Sequence, residues 1–161
     1  MESIKLDEIR EFSDEKLVKK QPLKTDKVVY NSFFLKPFQI LPFHRHPATD
    51  EVFHIVEGQG EFTVGNEQKI VSAGATVYGP AATFHGIVNS GQKELVMISV
   101  QAPKPVETEF KENATIVCPV CKQELIVKDN AGAGDEMTCA RCGAHLILMP
   151  NEKGGFTGQQ A

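Results

Sequence analysis

Between Val28 and Val100 the chain never runs far without a Gly, Pro or Asn, and this punctuation constrains the fold more than any other feature. The runs between the breaks are short and rich in β-branched and aromatic residues: 28–34, 38–43, 52–56, 61–64, 70–71, 75–78, 86–88 and 95–100. The breaks are equally regular, among them Pro42, Pro47, Gly58-Gln59-Gly60, Gly74, Gly79-Pro80 and Asn89-Ser90-Gly91. Many short strands with evenly spaced turn signals belong to an all-β sandwich or barrel. Gly65-Asn66 between two such runs is a hairpin signal.

The flanks divide the rest. Residues 1–26 form an N-terminal arm in which Ile4, Leu6, Ile9, Phe12, Leu17 and Val18 give a loose helical pattern over 4–20, with extended chain laid against the barrel as the alternative for part of it. The barrel spans 27–102. Residues 103–113 begin with Ala102-Pro103-Lys104-Pro105 and read as a stiff linker. A second unit covers 114–150, and the Gly/Gln-rich stretch 151–161 reads as a flexible tail.

His44 and His46 stand two apart, so on a strand both imidazoles leave the same face. Pro47-Ala48-Thr49-Asp50 reads as a turn, after which Glu51 starts the next strand beside them; His85 opens another strand five residues after Pro80. Imidazoles together with a carboxylate suit a divalent transition metal, Fe, Mn, Ni, Cu or Zn, with positions left open for water or substrate. If Glu51 faces inward, so do Phe53 and Ile55, while His54 and Arg45 face out. Phe53, Ile55 and Tyr78 are the pocket candidates; packing in the core is the simpler role for Tyr78 and Phe84, as for Phe33, Phe34, Phe38 and Phe43. Asp50, Tyr30 and Tyr78 are acid/base candidates that folding could bring to the site, and no arginine is aimed clearly into it.

All four cysteines lie in the last third, as Cys118-x2-Cys121 and Cys139-x2-Cys142, with 17 residues between the pairs. Two such knuckles complete a tetrahedral four-sulfur site, the closed arrangement of structural zinc. Gly143 suits the turn after the second knuckle, and 125–127 and 146–148 could form a small sheet between them. Iron in similar knuckles is disfavoured because no aromatic residue lies between the pairs. Thiol redox chemistry ordinarily uses a single such pair at a helix start. His145 is superfluous once four sulfurs fill the tetrahedron.

His44-x-His46-x4-Glu51-x6-Gly58 resembles the first motif of the cupin superfamily, and Gly74-x5-Pro80-x-Ala82-x2-His85-x3-Asn89 resembles the second. Phe38 and Ala82 stand where these motifs usually have glycine. The resemblance implies a double-stranded β-helix, or jelly-roll barrel, with His44, His46, Glu51 and His85 as metal ligands. It also implies a homodimer. The C-terminal unit resembles a zinc ribbon, with Cys118, Cys121, Cys139 and Cys142 as ligands.

Two main function classes follow, beside a third in which the metal is stored or structural and does no chemistry. One is a metal-dependent enzyme acting on a small organic molecule, dioxygenase- or isomerase-like. The other is a non-catalytic metabolite- or metal-binding or sensing module whose ribbon docks on a partner protein. Charge argues against nucleic acid: residues 1–113 hold 13 Lys/Arg against 16 Asp/Glu, and the remainder 4 against 5. No apolar run reaches the roughly 20 residues of a membrane span. The start, Met1-Glu2-Ser3-Ile4-Lys5, lacks the pattern of a secretory signal, so a cytoplasmic location is expected.

Overall fold

A computed structural model describes residues 1–112, 115–128 and 130–161. Nine strands build the barrel: β1 (Val18–Lys24), β2 (Val29–Leu35), β3 (Ile40–Arg45), β4 (Asp50–Glu57), β5 (Gln59–Val64), β6 (Glu67–Ser72), β7 (Thr76–Gly79), β8 (His85–Val88) and β9 (Leu95–Ala102). They pair antiparallel in two sheets, ordered β1-β2-β9-β4-β7 and β10-β3-β8-β5-β6, where β10 is the two-residue strand Glu109–Phe110. All eight expected runs are strands. Gly65 and Asn66 join β5 to β6, and Gly65 takes φ 57 at the first central position, where a type II′ turn needs glycine.

The interior is graded along the strands. Leu35 lies opposite Leu95 and Phe33 opposite Met97, which in turn faces Ile55. One step further along, Asn31, Ser99 and Phe53 form a layer, and then Val29, Gln101 and Glu51. All of these side chains are buried. One end of the barrel is thus an apolar core, completed by Leu41, Phe62 and Ile87, and the other end is polar. Each fully buried aromatic or aliphatic side chain contributes about 1.5–3 kcal/mol, so the apolar end holds the barrel while the polar end is left for chemistry. Gly58, with φ 79, has no room for a side chain: a Cβ there would meet the Glu94 carbonyl. Asn89, fully buried, ties the loop after β8 by donating to the Leu35 and Lys93 carbonyls and accepting from the Gly91 amide.

Several expectations are settled by the fold. The arm's helical pattern yields only a 3-10 turn at Leu6–Ile9, and Val18–Lys24 is extended, an edge strand of the first sheet. The tertiary context explains this, because Leu17 packs against the barrel core and Phe12 against the outer face of that sheet. Phe12 packs edge-on against Phe34 at 5.7 Å, and Arg10 pairs with Glu57. Phe38 is not core but half-buried in a turn with φ 69.

The segment 103–112 does not simply leave the barrel. Thr49 Oγ1 donates to the Pro103 carbonyl at 2.9 Å, and Glu109 and Phe110 pair with Arg45 and His44 of β3. The boundary expected between linker and second unit, at 113/114, lies outside the described residues. In the C-terminal unit, β11 (Thr115–Val117) pairs with β12 (Glu124–Ile126), while β13 (Glu136–Thr138), β14 (His145–Pro150) and β15 (Phe156–Gln160) form a separate sheet. The two apolar runs therefore pair with other strands and not with each other. The stretch expected as a flexible tail is strand β15, whose Phe156 packs against the unit's small core. Among the described residues no helix is long and apolar enough to cross a membrane.

Candidate metal centres

Pro42 interrupts the pairing of β3 with β8, and beyond this irregularity His44 sits directly opposite His85. His46 lies just past the end of β3, and Glu51 comes from β4 in the other sheet. Both sheets thus deliver ligand-type side chains to the polar end of the interior, where all four are buried. Their donor atoms lie within 4.8 Å of one another. Glu51 Oε2 is the common point: the Nε2 atoms of His46, His85 and His44 stand 2.9, 3.3 and 3.7 Å from it.

The backbone fixes the rings. Nδ1 of His44 contacts the Pro42 carbonyl at 2.7 Å, that of His46 the Glu107 carbonyl at 2.7 Å, and that of His85 the Thr83 carbonyl at 3.0 Å. A carbonyl can only accept, so each Nδ1 carries a hydrogen and each ring turns Nε2 toward Glu51, where it donates to the carboxylate while protonated and is a bare donor atom once an ion takes the proton's place. This is the tautomer that a metal-binding imidazole needs. Burial alone would raise the Glu51 pKa, but hydrogen bonds from His44, His46, His85 and Ser99 outweigh it and hold the carboxyl well below its ordinary range. Burial would likewise lower His46, yet its bond to Glu51 prevails and raises it. A buried anion facing three ring nitrogens fits a divalent cation on charge, donor type and number.

The surroundings are asymmetric. Phe53 closes the apolar side, its ring edge-on to His85 at 5.7 Å, and Ile55 lies one layer deeper in the core. Gly79 lets His85 in: a Cβ there would approach the ring to 3.1 Å. On the other side is a buried polar chain. Ser99 Oγ donates to Glu51 Oε1 at 2.5 Å, Gln101 Nε2 stands 2.8 Å from His46 Nε2, and Asn31 donates to both Ser99 and Gln101. Phe110 lies at the mouth, largely exposed, with its ring 5.9 Å from that of His44.

Phe53 borders the cluster, as the alternation of side chains requires, whereas Ile55 belongs to the core behind it. Tyr78 does not line the site. It is 54% exposed on the outer face of its sheet, opposite Val52. Asp50 accepts a hydrogen bond from the Ala81 amide, and Tyr30 pairs with outward-facing Val100, so neither joins the cluster. Phe84 is not core either: half-exposed, it stacks under the Arg45 guanidinium at 4.8 Å. Arg45 and His54 face outward as expected, toward Glu109 and Thr76. Sequence reasoning missed Asn31, Ser99, Gln101 and the Glu107 carbonyl. The first three were detectable as polar residues at inward positions of β2 and β9; the carbonyl was not, because its role depends on how the segment after the barrel folds back.

The second cluster repeats one local geometry twice. The carbonyl of Cys118 accepts from the Lys122 amide and that of Cys139 from the Gly143 amide; both donors have positive φ, 64 and 72. Sulfur separations are 3.8 Å for Cys118–Cys142 and 3.6 Å for Cys121–Cys139. A tetrahedron with Zn–S bonds of about 2.3 Å has edges of about 3.8 Å, whereas a disulfide needs about 2.05 Å. Burial works to raise the Cys118 thiol, but the amides of Cys121 and Val120 outweigh it and bring it down to about 7, while the thiols of Cys121, Cys139 and Cys142 are raised, the first two chiefly by burial. By their spacing the four sulfurs fit zinc.

Residues 32–101 match the Cupin_2 family, described as a cupin domain. The uncharacterized protein MJ1618 of Methanocaldococcus jannaschii is 37% identical over 60 residues, which are 37% of this chain and 48% of the relative. The chain thus spans about half the length of that curated relative. Among solved structures, TT1209 from Thermus thermophilus is 28% identical with a TM-score of 0.63, covering 65% of this chain and 100% of its own. A conserved protein with a double-stranded β-helix domain from Klebsiella pneumoniae aligns at TM-score 0.66 and 24% identity, over 70% of this chain and 98% of its own, a likeness of fold.

Proposed function

We propose, from the match of residues 32–101 to the Cupin_2 family, that the barrel is a metal site acting on a small organic molecule, through His44, His46, Glu51 and His85. The observation that carries this reading is the set of three Nδ1–carbonyl contacts, which aim three Nε2 atoms at one buried carboxylate. When bound, a divalent transition ion supplies a Lewis acid with open positions for substrate oxygens, a starting point for either oxygenation or isomerisation. The chain's own residues do the rest. Glu51 offsets the ion's charge, Ser99 holds Glu51 in place, and Phe53 keeps water from the apolar side. Cys118, Cys121, Cys139 and Cys142 hold a structural zinc.

The test is metal content per chain on untagged protein purified without added metal. We expect one zinc plus one further ion. His44→Ala/His46→Ala removes only the second, and a double variant that keeps both ions ends this reading.

A second reading, a binding or sensing module docked through its C-terminal unit, is favoured by the exposure of Val117, Val120 and Met149 there. Turnover of any small molecule by the metal-loaded barrel would remove it. In both readings the chain is a homodimer. Tyr30, Val100, Val52 and Tyr78 are successive cross-strand neighbours on the outer face of the first sheet, and the last three are 40%, 41% and 54% exposed. Light scattering at micromolar protein is expected to give the mass of two chains, and Val52→Asp/Val100→Asp that of one. A single-chain mass for the wild type refutes the dimer.

A further inference from the structure

Near the histidine–glutamate cluster lies a cavity of about 240 Å³, open to solvent. None of the four ligand-type residues borders it, but two residues of its wall touch His46: the Gln101 amide at Nε2, and the Thr108 hydroxyl, 3.3 Å from Nδ1. Three lysines line it, Lys19, Lys24 and Lys104, and among the described residues of its wall there is no carboxylate. Such a charge imbalance in a small concave site concentrates anions.

Lys19 is the informative member. Its strand neighbour in register is Phe33, so its side chain leaves the inner face of β1, and its Nζ stands 5.5 Å from the Phe33 ring centre. Lys19 is exposed, and the protein around its ammonium lowers its pKa by desolvation, against the opposing pull of the Glu51 charge. No salt bridge to Lys19 is seen among the described residues, in contrast to Lys20 next to it, which pairs outward with Glu11. Gln21, also on the cavity wall, donates to Asn31, which donates in turn to Ser99 and Gln101. A chain of amides therefore links the lysine-lined mouth to the ligand cluster. Gln101 and His46 can satisfy each other only while His46 Nε2 is not on an ion.

We propose that this cavity is the entrance to the substrate site and that it takes a small organic carboxylate, its anionic group held at Lys19 and its other end directed past the Gln101 amide toward the metal. The inference rests on the metal-site reading above and adds the substrate class to it. A carboxylate suits the wall better than a phosphate does. The chamber is small, its donors are lysine and amide groups, and neither an arginine fork nor a glycine-rich loop borders it.

The test is calorimetric titration of the full chain, zinc in the cysteine site, with malonate, its neutral counterpart malonamide, and inorganic phosphate. Each is run with and without Mn(II) in the barrel. We expect malonate to bind both forms, more tightly with Mn(II), and to lower the water-proton relaxation of the bound ion. Lys19→Met should weaken malonate about tenfold in both forms, the loss expected for one charge-assisted contact. It should leave malonamide and Mn(II) uptake unchanged, while Lys19→Arg restores malonate. The proposal is overturned if malonate binds no better than malonamide, if phosphate binds more tightly than malonate, or if Lys19→Met changes malonate less than twofold. Failure of the barrel to take Mn(II) counts instead against the metal reading, and the metal-free titrations still decide the role of Lys19.

Discussion

Glu51→Ala is expected to lower the barrel's affinity for a divalent ion by more than 100-fold, the largest effect of any single substitution in that site. Groups that merely orient a ligand are worth about 10- to 100-fold in metal affinity, and Glu51 is the cluster's only anion. Ser99→Ala, which removes the hydroxyl donating to Glu51 Oε1, should fall in that lower range. Glu51→Gln separates charge from shape. The amide oxygen can still face the histidines, but the buried negative charge is gone, so the variant should lie close to Ala for metal affinity and close to wild type for melting temperature. Competition against a chelator of known affinity measures all three. If Glu51→Ala binds as tightly as the wild type, the ion is not held at this cluster.

The barrel was legible because its signals are local. Turn residues at short intervals set the strands, and two-residue spacing put His44 and His46 on one face. The same rule placed Glu51 and Phe53 inward and His54 outward, as observed. What was not legible depends on long-range closure. Tyr78 looked close to the site in sequence, yet strand parity sends it to the outer face opposite Val52. The 103–113 segment read as a spacer from its prolines, but its value lies in a backbone carbonyl on His46 and a ring beside His44. Lys19 was invisible for a related reason. A helical reading of the arm gave no reason to point it at the site, and only pairing with Phe33 turns it inward.

The two departures from the family's glycines are instructive in another way. Phe38 and Ala82 both keep the left-handed backbone, at φ 69 and 61, and Lys122 does the same in the first cysteine knuckle. A non-glycine residue in that region costs roughly 1–2 kcal/mol. The fold therefore tolerates the strain and does not reshape the turns. Around Ala82 the surrounding bonds explain how: its amide donates to the His46 carbonyl, and the neighbouring Ala81 amide is capped by Asp50. The strained turn is thus anchored on both sides of the metal cluster.

Removing the ion proposed for the four cysteines is expected to unfold the C-terminal unit and leave the barrel standing. The unit's apolar core consists of Ile116, Leu125, Val127, Leu146 and Leu148, packed around the buried Cys118 and Cys139. Two short sheets sharing so few side chains cannot offset the chain entropy of folding, about 1–2 kcal/mol per residue. A structural zinc supplies on the order of 10–16 kcal/mol in units of this kind. Cys118→Ser/Cys139→Ser should therefore abolish hydrogen-exchange protection at the amides of 116–118, 125–127 and 146–148. Protection in β2, β4 and β9 should persist, because their core draws nothing from the unit. The barrel's own ion should also remain, since Glu107 and Phe110 precede the unit and are tied to the barrel by the Thr49–Pro103 contact and the pairing with β3. Retained protection in the C-terminal unit of the double variant would mean that its small core suffices and that the four sulfurs are not its main stabiliser. Loss of the barrel ion together with the zinc would mean instead that the unit, through the strap that precedes it, sets the position of His46.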